Sequence, residues 1–503
     1  MAKIANKEAP PESEELVKGI LEWLALARGH SEDAEELLQQ LLSLREAAIG
    51  PLPHVKLLDL LFAHAESILQ AELPGLQQPT LPITRKTRQK TKALLKLLET
   101  LAQEYFNSLA AHYNPQDALP DERMQASLRR AVQAIGAQIQ IHHLVAAPPG
   151  NGLWQQLNAA YRTARRLGIE RLSNTTGSAS IERMYSDILL KAIAQPASFS
   201  STELALISTL TERLGHLIKL TDTPPDGAGD DVFWIDLERD SPAYAMVRRQ
   251  PGEGIRPLYF AAGELAAEVH KLAIALDAGT APESLGLPNM AGNAAGRGVL
   301  RRLEKLWGFP ARRKFPRRRH AYRARVCLGL EALHRLLQRQ EISEDISEWM
   351  VTNESPEGYA LMHMSGSTAS LRVGDIVALQ PRDEFSPRAD NWHVCIVRWA
   401  ISENPEHIEL GLQLLASRAF SAQIADPAWP QSGPMSVLVL PEAPPLRLTQ
   451  SLIAPTGGLA ENRRRMVLLT EQGNLQIREV RTGDLNEQTG VVEIFTLLPD
   501  DED

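Results

Sequence analysis

Cysteine is nearly missing from this chain. Its 503 residues include only two, Cys327 and Cys395. Two thiols cannot form a disulfide framework, which excludes the small stapled secreted class and fits a reducing compartment. Both stand in strand-like runs, RARVCLGL and WHVCIVRWA, and read as buried, inert thiols. Long apolar runs are missing too. None approaches the ~18 residues that a membrane-spanning helix needs, and the start, MAKIANKEAPPESEEL, has no apolar stretch that could act as a secretion signal. The expectation is a cytoplasmic protein with no membrane insertion.

The usual marks of catalysis are absent as well. There is no GxxxxGK[ST], no HExxH, no GxSxG and no paired-cysteine metal motif. His142 and His143 are adjacent on an expected helix, where neighbours point about 100° apart. They are poorly placed to share a metal and read as solvated or core-edge histidines. GNAAGRG, residues 292–298, is glycine-rich and precedes a helix, but it follows a loop rather than a strand. It reads as a hinge rather than a phosphate loop. Acidic residues are scattered over helix surfaces without a positioned acid–base pair. The chain is therefore expected not to be an enzyme and to need no metal or cofactor.

What is present is size and an uneven charge. A chain of this length suggests two to four domains. The net charge is −9, yet residues 297–325 alone carry +11, leaving −20 on the rest. Positive charge concentrated on an acidic protein points to a local anionic partner. A solvated basic linker is the plainer alternative.

The chain reads as a multidomain protein with an α-helical N-terminal half, followed by an antiparallel β-barrel with further β strands. Residues 1–12 are expected to be a disordered tail. Residues 13–222 form an α-helical domain with leucine stripes, such as Leu37, Leu38, Leu41 and Leu42 after an acidic first turn. Ser200 and Glu203 form a capping box. The stripes read most simply as core, with a partner groove as the alternative. Residues 223–310 read as a mixed α/β connecting region. From about 320, GYALMHM, DIVALQ, WHVCIVRWA and IELGLQLLA are short apolar or alternating runs separated by turns, the pattern of an antiparallel barrel or sandwich. The barrel is assigned to 311–420, an additional β region to 421–499, and an acidic tail to 500–503.

Two motifs in order sharpen this reading. Arg319-His320-Ala321-Tyr322-Arg323 has the spacing RxxxR and runs straight into the strand ARVCLGL. Asn353-Glu354-Ser355-Pro356-Glu357-Gly358 matches [DN]xSxxG at a turn before GYALMHM. With the strands that follow, residues 312–417 resemble the PilZ domain, a small β-barrel family that binds the bacterial second messenger cyclic di-GMP. The resemblance does not extend to the helical half or beyond about residue 420. It implies a ligand site formed by Arg319, Arg323, Asn353, Ser355 and Gly358. Arg313 and Arg317 offer the same spacing in another register, as do Arg297 and Arg301. The chemistry suits the ligand. A guanidinium contacts phosphate or a guanine O6/N7 edge bidentately and stacks on purines. A flexible arginine lead-in could fold over the ligand from the barrel rim. Gly358 permits backbone geometry or a close approach that a side chain would block.

The resemblance thus implies a cyclic di-GMP receptor that passes the signal to a partner protein through the helical half, which would also provide any homodimer contact. Two alternatives stay open. One is a degenerate PilZ-like adaptor that no longer binds ligand. The other is RNA or DNA binding through the basic segment 297–325. NESPEG as a plain Asx or β-turn before a strand is the bland reading of the second motif.

Overall fold

The computed structural model describes residues 11–27, 33–47, 49–77, 81–112, 122–173, 179–225, 229–310, 315–338, 346–368, 371–382, 391–404, 407–425, 433–444, 447–459, 465–472 and 474–499. Of the expected tail at 1–12, residues 1–10 lie outside them, as does 500–503, but Pro11 already begins a helix.

Among the described residues, eight α-helices come first: α1 (Pro11–Leu26), α2 (Asp33–Glu46), α3 (Pro51–Leu76), α4 (Arg85–His112), α5 (Glu122–Leu144), α6 (Leu153–Leu167), α7 (Ile181–Ile193) and α8 (Ser201–Leu214). Helix α2 shows why. Asp33, Glu35 and Glu36 occupy its first turn and Arg45 its last, each favourable to the helix dipole. Leu37 and Leu41 of the expected stripe are buried, Ala34 and Leu44 complete it, and Leu38 packs half-buried against the same core. The basic run RKTRQK forms the first turns of α4. The capping box of α8 is formed as expected, with the Ser200 side chain on the Glu203 N–H and the Glu203 carboxylate on the Ser200 N–H.

The strands β1 (Val232–Ile235), β2 (Tyr244–Ala245) and β3 (Leu258–Ala261) form a small sheet in the order β2-β1-β3. Helices α9 (Gly263–Asp277) and α10 (Ala294–Gly308) follow. This segment, expected to be a connection, shares the helical half's core. Phe233, Ile235, Phe260, Val269, Leu303 and Trp307 belong to one buried cluster that begins at Ile20. The expected hinge GNAAGRG is the start of α10, where the Asn293 side chain accepts from the Gly296 N–H at 2.8 Å. Its glycines serve close packing. A Cβ at Gly298 would lie 2.8 Å from the Gln488 carbonyl oxygen.

Two closed barrels follow. The first contains β4 (Arg318–Leu328), β5 (Ile346–Ser355), β6 (Gly358–Ser365), β7 (Ile376–Pro381), β8 (His393–Asn404) and β9 (His407–Ala416), in the order β4-β5-β6-β9-β8-β7. A short helix, α11 (Leu330–Leu337), lies between β4 and β5. Alternation fills the barrel. Ala324, Val326, Trp349, Val351, Tyr359, Leu361, Leu410 and Leu412 face one interior cluster. The second barrel contains β10 (Phe420–Ala425), β11 (Met435–Leu440), β12 (Ser451–Pro455), β13 (Arg465–Gln472), β14 (Asn474–Gln488) and β15 (Val492–Pro499), in the order β10-β11-β12-β15-β14-β13. A third cluster joins the barrels, with Cys327, Ile376 and Ile396 packed against Leu438, Ile453 and Val492, and Leu330 and Leu333 of α11 between them. Cys327 and Cys395 are both buried and in strands.

Candidate functional site: the outer face of the first barrel

NESPEG is the end of β5, a two-residue turn at Pro356-Glu357, and the start of β6. Ser355 stands opposite Gly358 and Asn353 opposite Ala360. The turn is fastened to β9, where the Leu414 N–H donates to the Glu357 carbonyl at 2.8 Å. Gly358 has φ 157°, and a Cβ there would collide with the Leu412 carbonyl oxygen. The close approach that requires glycine is therefore that of strand β9. The Ser355 hydroxyl is turned onto its own hairpin, donating to the Gly358 carbonyl at 3.4 Å. Asn353 is different. Its side-chain oxygen is buried and meets no donor among the described residues. Buried acceptors are nearly always satisfied, so an orphan calls for an explanation.

The arginines do not lie on a lead-in draped at the rim. Arg319 and Arg323 are strand residues of β4, Arg319 opposite Asn353 and Arg323 opposite Met350. Both are exposed. Because Ala324 and Val326 point inward, Arg323 and Arg325 point outward by alternation. Arg317, just before the strand, is exposed, and Arg313 lies outside the described residues. The upstream basic residues are engaged elsewhere. Arg301 donates to Asp277 at 2.9 Å and to Gln488 at 2.7 Å. Arg297 lies 3.7 Å from Asp277, and Arg302 pairs with the buried Glu203. The described residues of the +11 run thus fall in two structures: a helix knitted to its surroundings and a strand with outward arginines.

Directly paired residues on neighbouring strands share a face. The register therefore places a single row across the outer wall: Arg319 on β4, Asn353 on β5, Ala360 on β6, Gly411 on β9 and Trp399 on β8. Glu354, one residue along, falls on the opposite face. Its carboxylate accepts from the Tyr322 hydroxyl at 2.8 Å at the barrel mouth, beside Tyr359, whose hydroxyl is 2.8 Å from His393 Nδ1. Burial, then the Glu354 hydrogen bond, pushes the Tyr322 phenol well above its usual range. Burial pushes the His393 imidazole down, against a weaker opposing pull from Glu354. Sequence reasoning missed this polar mouth and missed Trp399. Glu354 occupies a free position of its motif, and Trp399 stands two strands away from it.

Two family models match the chain. Residues 18–226 match "Cyclic-di-GMP receptor FimW, N-terminal domain", and residues 337–420 match "Cyclic-di-GMP receptor FimW, middle PilZ domain". Both describe parts of one receptor family, in chain order, and together they cover more than half of the 503 residues. The chain belongs to this family of cyclic di-GMP receptors. No curated protein and no solved structure matches it. The PilZ match includes NESPEG and β5 through β9 but begins after Arg319 and Arg323. The helical half, for which the sequence showed no likeness, is the family's N-terminal domain. Among the described residues, no helix is long and apolar enough to cross a membrane and no cluster of His, Cys, Asp or Glu could hold a metal ion.

Proposed function

We propose that this receptor holds cyclic di-GMP on the outer wall of its PilZ barrel. Arg319 and Arg323 contact phosphate or guanine edges, and the Asn353 oxygen accepts from a guanine N–H. Ser355 supplies a hydroxyl that can turn from its own hairpin to the ligand. Gly358 acts indirectly, by letting β9 close against the turn. Arg317, exposed next to the strand, is the nearest reserve cation, and Arg313 precedes it. The single observation that supports the site is the buried, unpaired Asn353 oxygen in direct register with an exposed arginine. No cofactor is needed beside the ligand.

The second half of the reading concerns output. The helical half, which shares its core with residues up to Trp307, is the surface for an unidentified partner protein and for any homodimer contact. The role is that of a cytoplasmic receptor without catalysis.

The test separates forked recognition from bulk charge. Lysine keeps the charge but lacks the planar bidentate fork. Arg319→Lys and Arg323→Lys are each expected to weaken cyclic di-GMP binding by about 1–3 kcal/mol, roughly five- to 150-fold. Arg301→Lys, engaged with Asp277 and Gln488, leaves the affinity unchanged. A nucleic-acid site would instead lose affinity steeply with salt and ignore the lysine exchange.

A further inference from the structure

Three of the barrel's register shifts flank the same row. They fall between Arg319 and Tyr322 on β4, between Val351 and Asn353 on β5, and between Val397 and Trp399 on β8. A bulge inserts a residue and re-aims its neighbours, and bulges are enriched beside functional sites. On β8 the effect is specific. Val397 faces the barrel interior, Trp399 lies opposite Gly411 on the outer row, and Arg398 is the extra residue between them. Arg398 also reaches the outer face, where its Nε donates to Gln413 Oε1 at 2.6 Å. Gln413 is the direct neighbour of Gly358. Two successive side chains, normally on opposite faces, are thus both delivered beside the hairpin.

Each is held at a defined place beside the hairpin. The pyrrole side of the Trp399 indole fills the space that a side chain at 411 would take, so the ring leans across β9 toward β6 and Asn353. It stays half-buried rather than sinking into a core. Arg398 is restrained from the other side by the second barrel, its Nη2 donating to Glu487 Oε2 at 2.8 Å. Strands lie about 4.8 Å apart, so Gln413 is some two strand spacings, about 10 Å, from Ser355.

We propose that Trp399 and Arg398 form the second wall of the ligand site, Trp399 as a stacking platform for a purine base and Arg398 as a cation for phosphate, with Glu487 of the second barrel as the carboxylate that the phosphate displaces. This rests on the outer-wall reading above and extends it to the opposite side of the row. It also gives the ligand a direct handle on the second barrel. Binding exchanges the Arg398–Glu487 contact for an Arg398–phosphate one, and the neighbouring Gln488 donates to Glu493 while accepting from Arg301 of α10.

The experiment is a calorimetric titration of the full chain with cyclic di-GMP, beside ligand-free melting curves. Trp399→Leu should weaken binding about ten- to hundredfold, as loss of one base stack does, while Trp399→Phe keeps most of the affinity. Glu487→Gln should strengthen binding, a gain that a misfolded variant cannot mimic. Wild-type affinity in Trp399→Leu, or weaker binding in Glu487→Gln with an unchanged ligand-free melting curve, overturns the second wall. Asn353→Ala separates the two levels. If it loses the ligand while Trp399→Leu does not, the second wall fails and the outer-wall site stands. If the parent chain itself does not bind, both fail.

Discussion

Replacing Asn353 by alanine sets stability and binding against each other. In the ligand-free protein the Asn353 oxygen is buried without a donor among the described residues. An unsatisfied buried acceptor costs about 1–3 kcal/mol relative to its hydrated state. Asn353→Ala removes that cost and leaves a space of only a few atoms on the outer wall. The ligand-free melting temperature should therefore stay level or rise. In the complex the same oxygen gains a donor, a guanine N–H in our reading, and its removal costs about 1–3 kcal/mol. That corresponds to roughly five- to 150-fold weaker binding. The assay is differential scanning calorimetry of the ligand-free protein paired with titration calorimetry. A variant that melts several degrees lower yet binds like the parent would show that Asn353 already has an internal partner, and the reasoning would be refuted.

Gly358→Ala drives a Cβ into the Leu412 carbonyl, so the β6–β9 pairing must open. We expect a marked loss of barrel stability, seen as a lower melting temperature even without ligand, and not merely weaker binding. Asp375, at the start of β7, is buried, and that burial raises its carboxyl to about 6 from 3.8. The folded chain then holds a proton that the unfolded chain releases between these values. The stability due to Asp375 is full below about pH 4 and is lost as pH rises through 6, by up to about 3 kcal/mol. Asp375→Asn keeps an acceptor for the Ile376 N–H, 2.7 Å away, and should flatten this part of the stability–pH profile in denaturant titrations.

Much of the barrel was legible because its inner residues alternate between the bulges, as at Trp349 and Val351 and at Tyr359 and Leu361. The NESPEG turn was legible because its residue types fit a tight hairpin. The arginine segment was misjudged for a physical reason. Counting charge hides that Tyr322 faces inward in step with Ala324 and Val326, so the first half of β4, up to Arg323, read as a flexible lead-in to a strand that it already belongs to. The bulges on β4, β5 and β8 were out of reach, since a bulge is a property of two strands in register and not of one sequence. Trp399 and Asn353 meet on one row only through that register. The unity of the helical core failed to show for a related reason. Phe260 and Trp307 look equally apolar whether they pack on a private core or on one beginning at Ile20. Ser200 and Glu203 were plain as a cap, yet the pairing of Glu203 with Arg302 on α10, 99 residues away, was not.

The central claim is that this chain binds cyclic di-GMP specifically on the PilZ barrel. Titration calorimetry of the purified full chain tests it most directly, with GTP and a short RNA as controls at the same salt. The account predicts a saturable heat with cyclic di-GMP, absent with both controls and weakened at least about fivefold by Arg319→Lys. No binding up to about a millimolar, weaker than roughly −4 kcal/mol, or equal binding of the RNA, would contradict it.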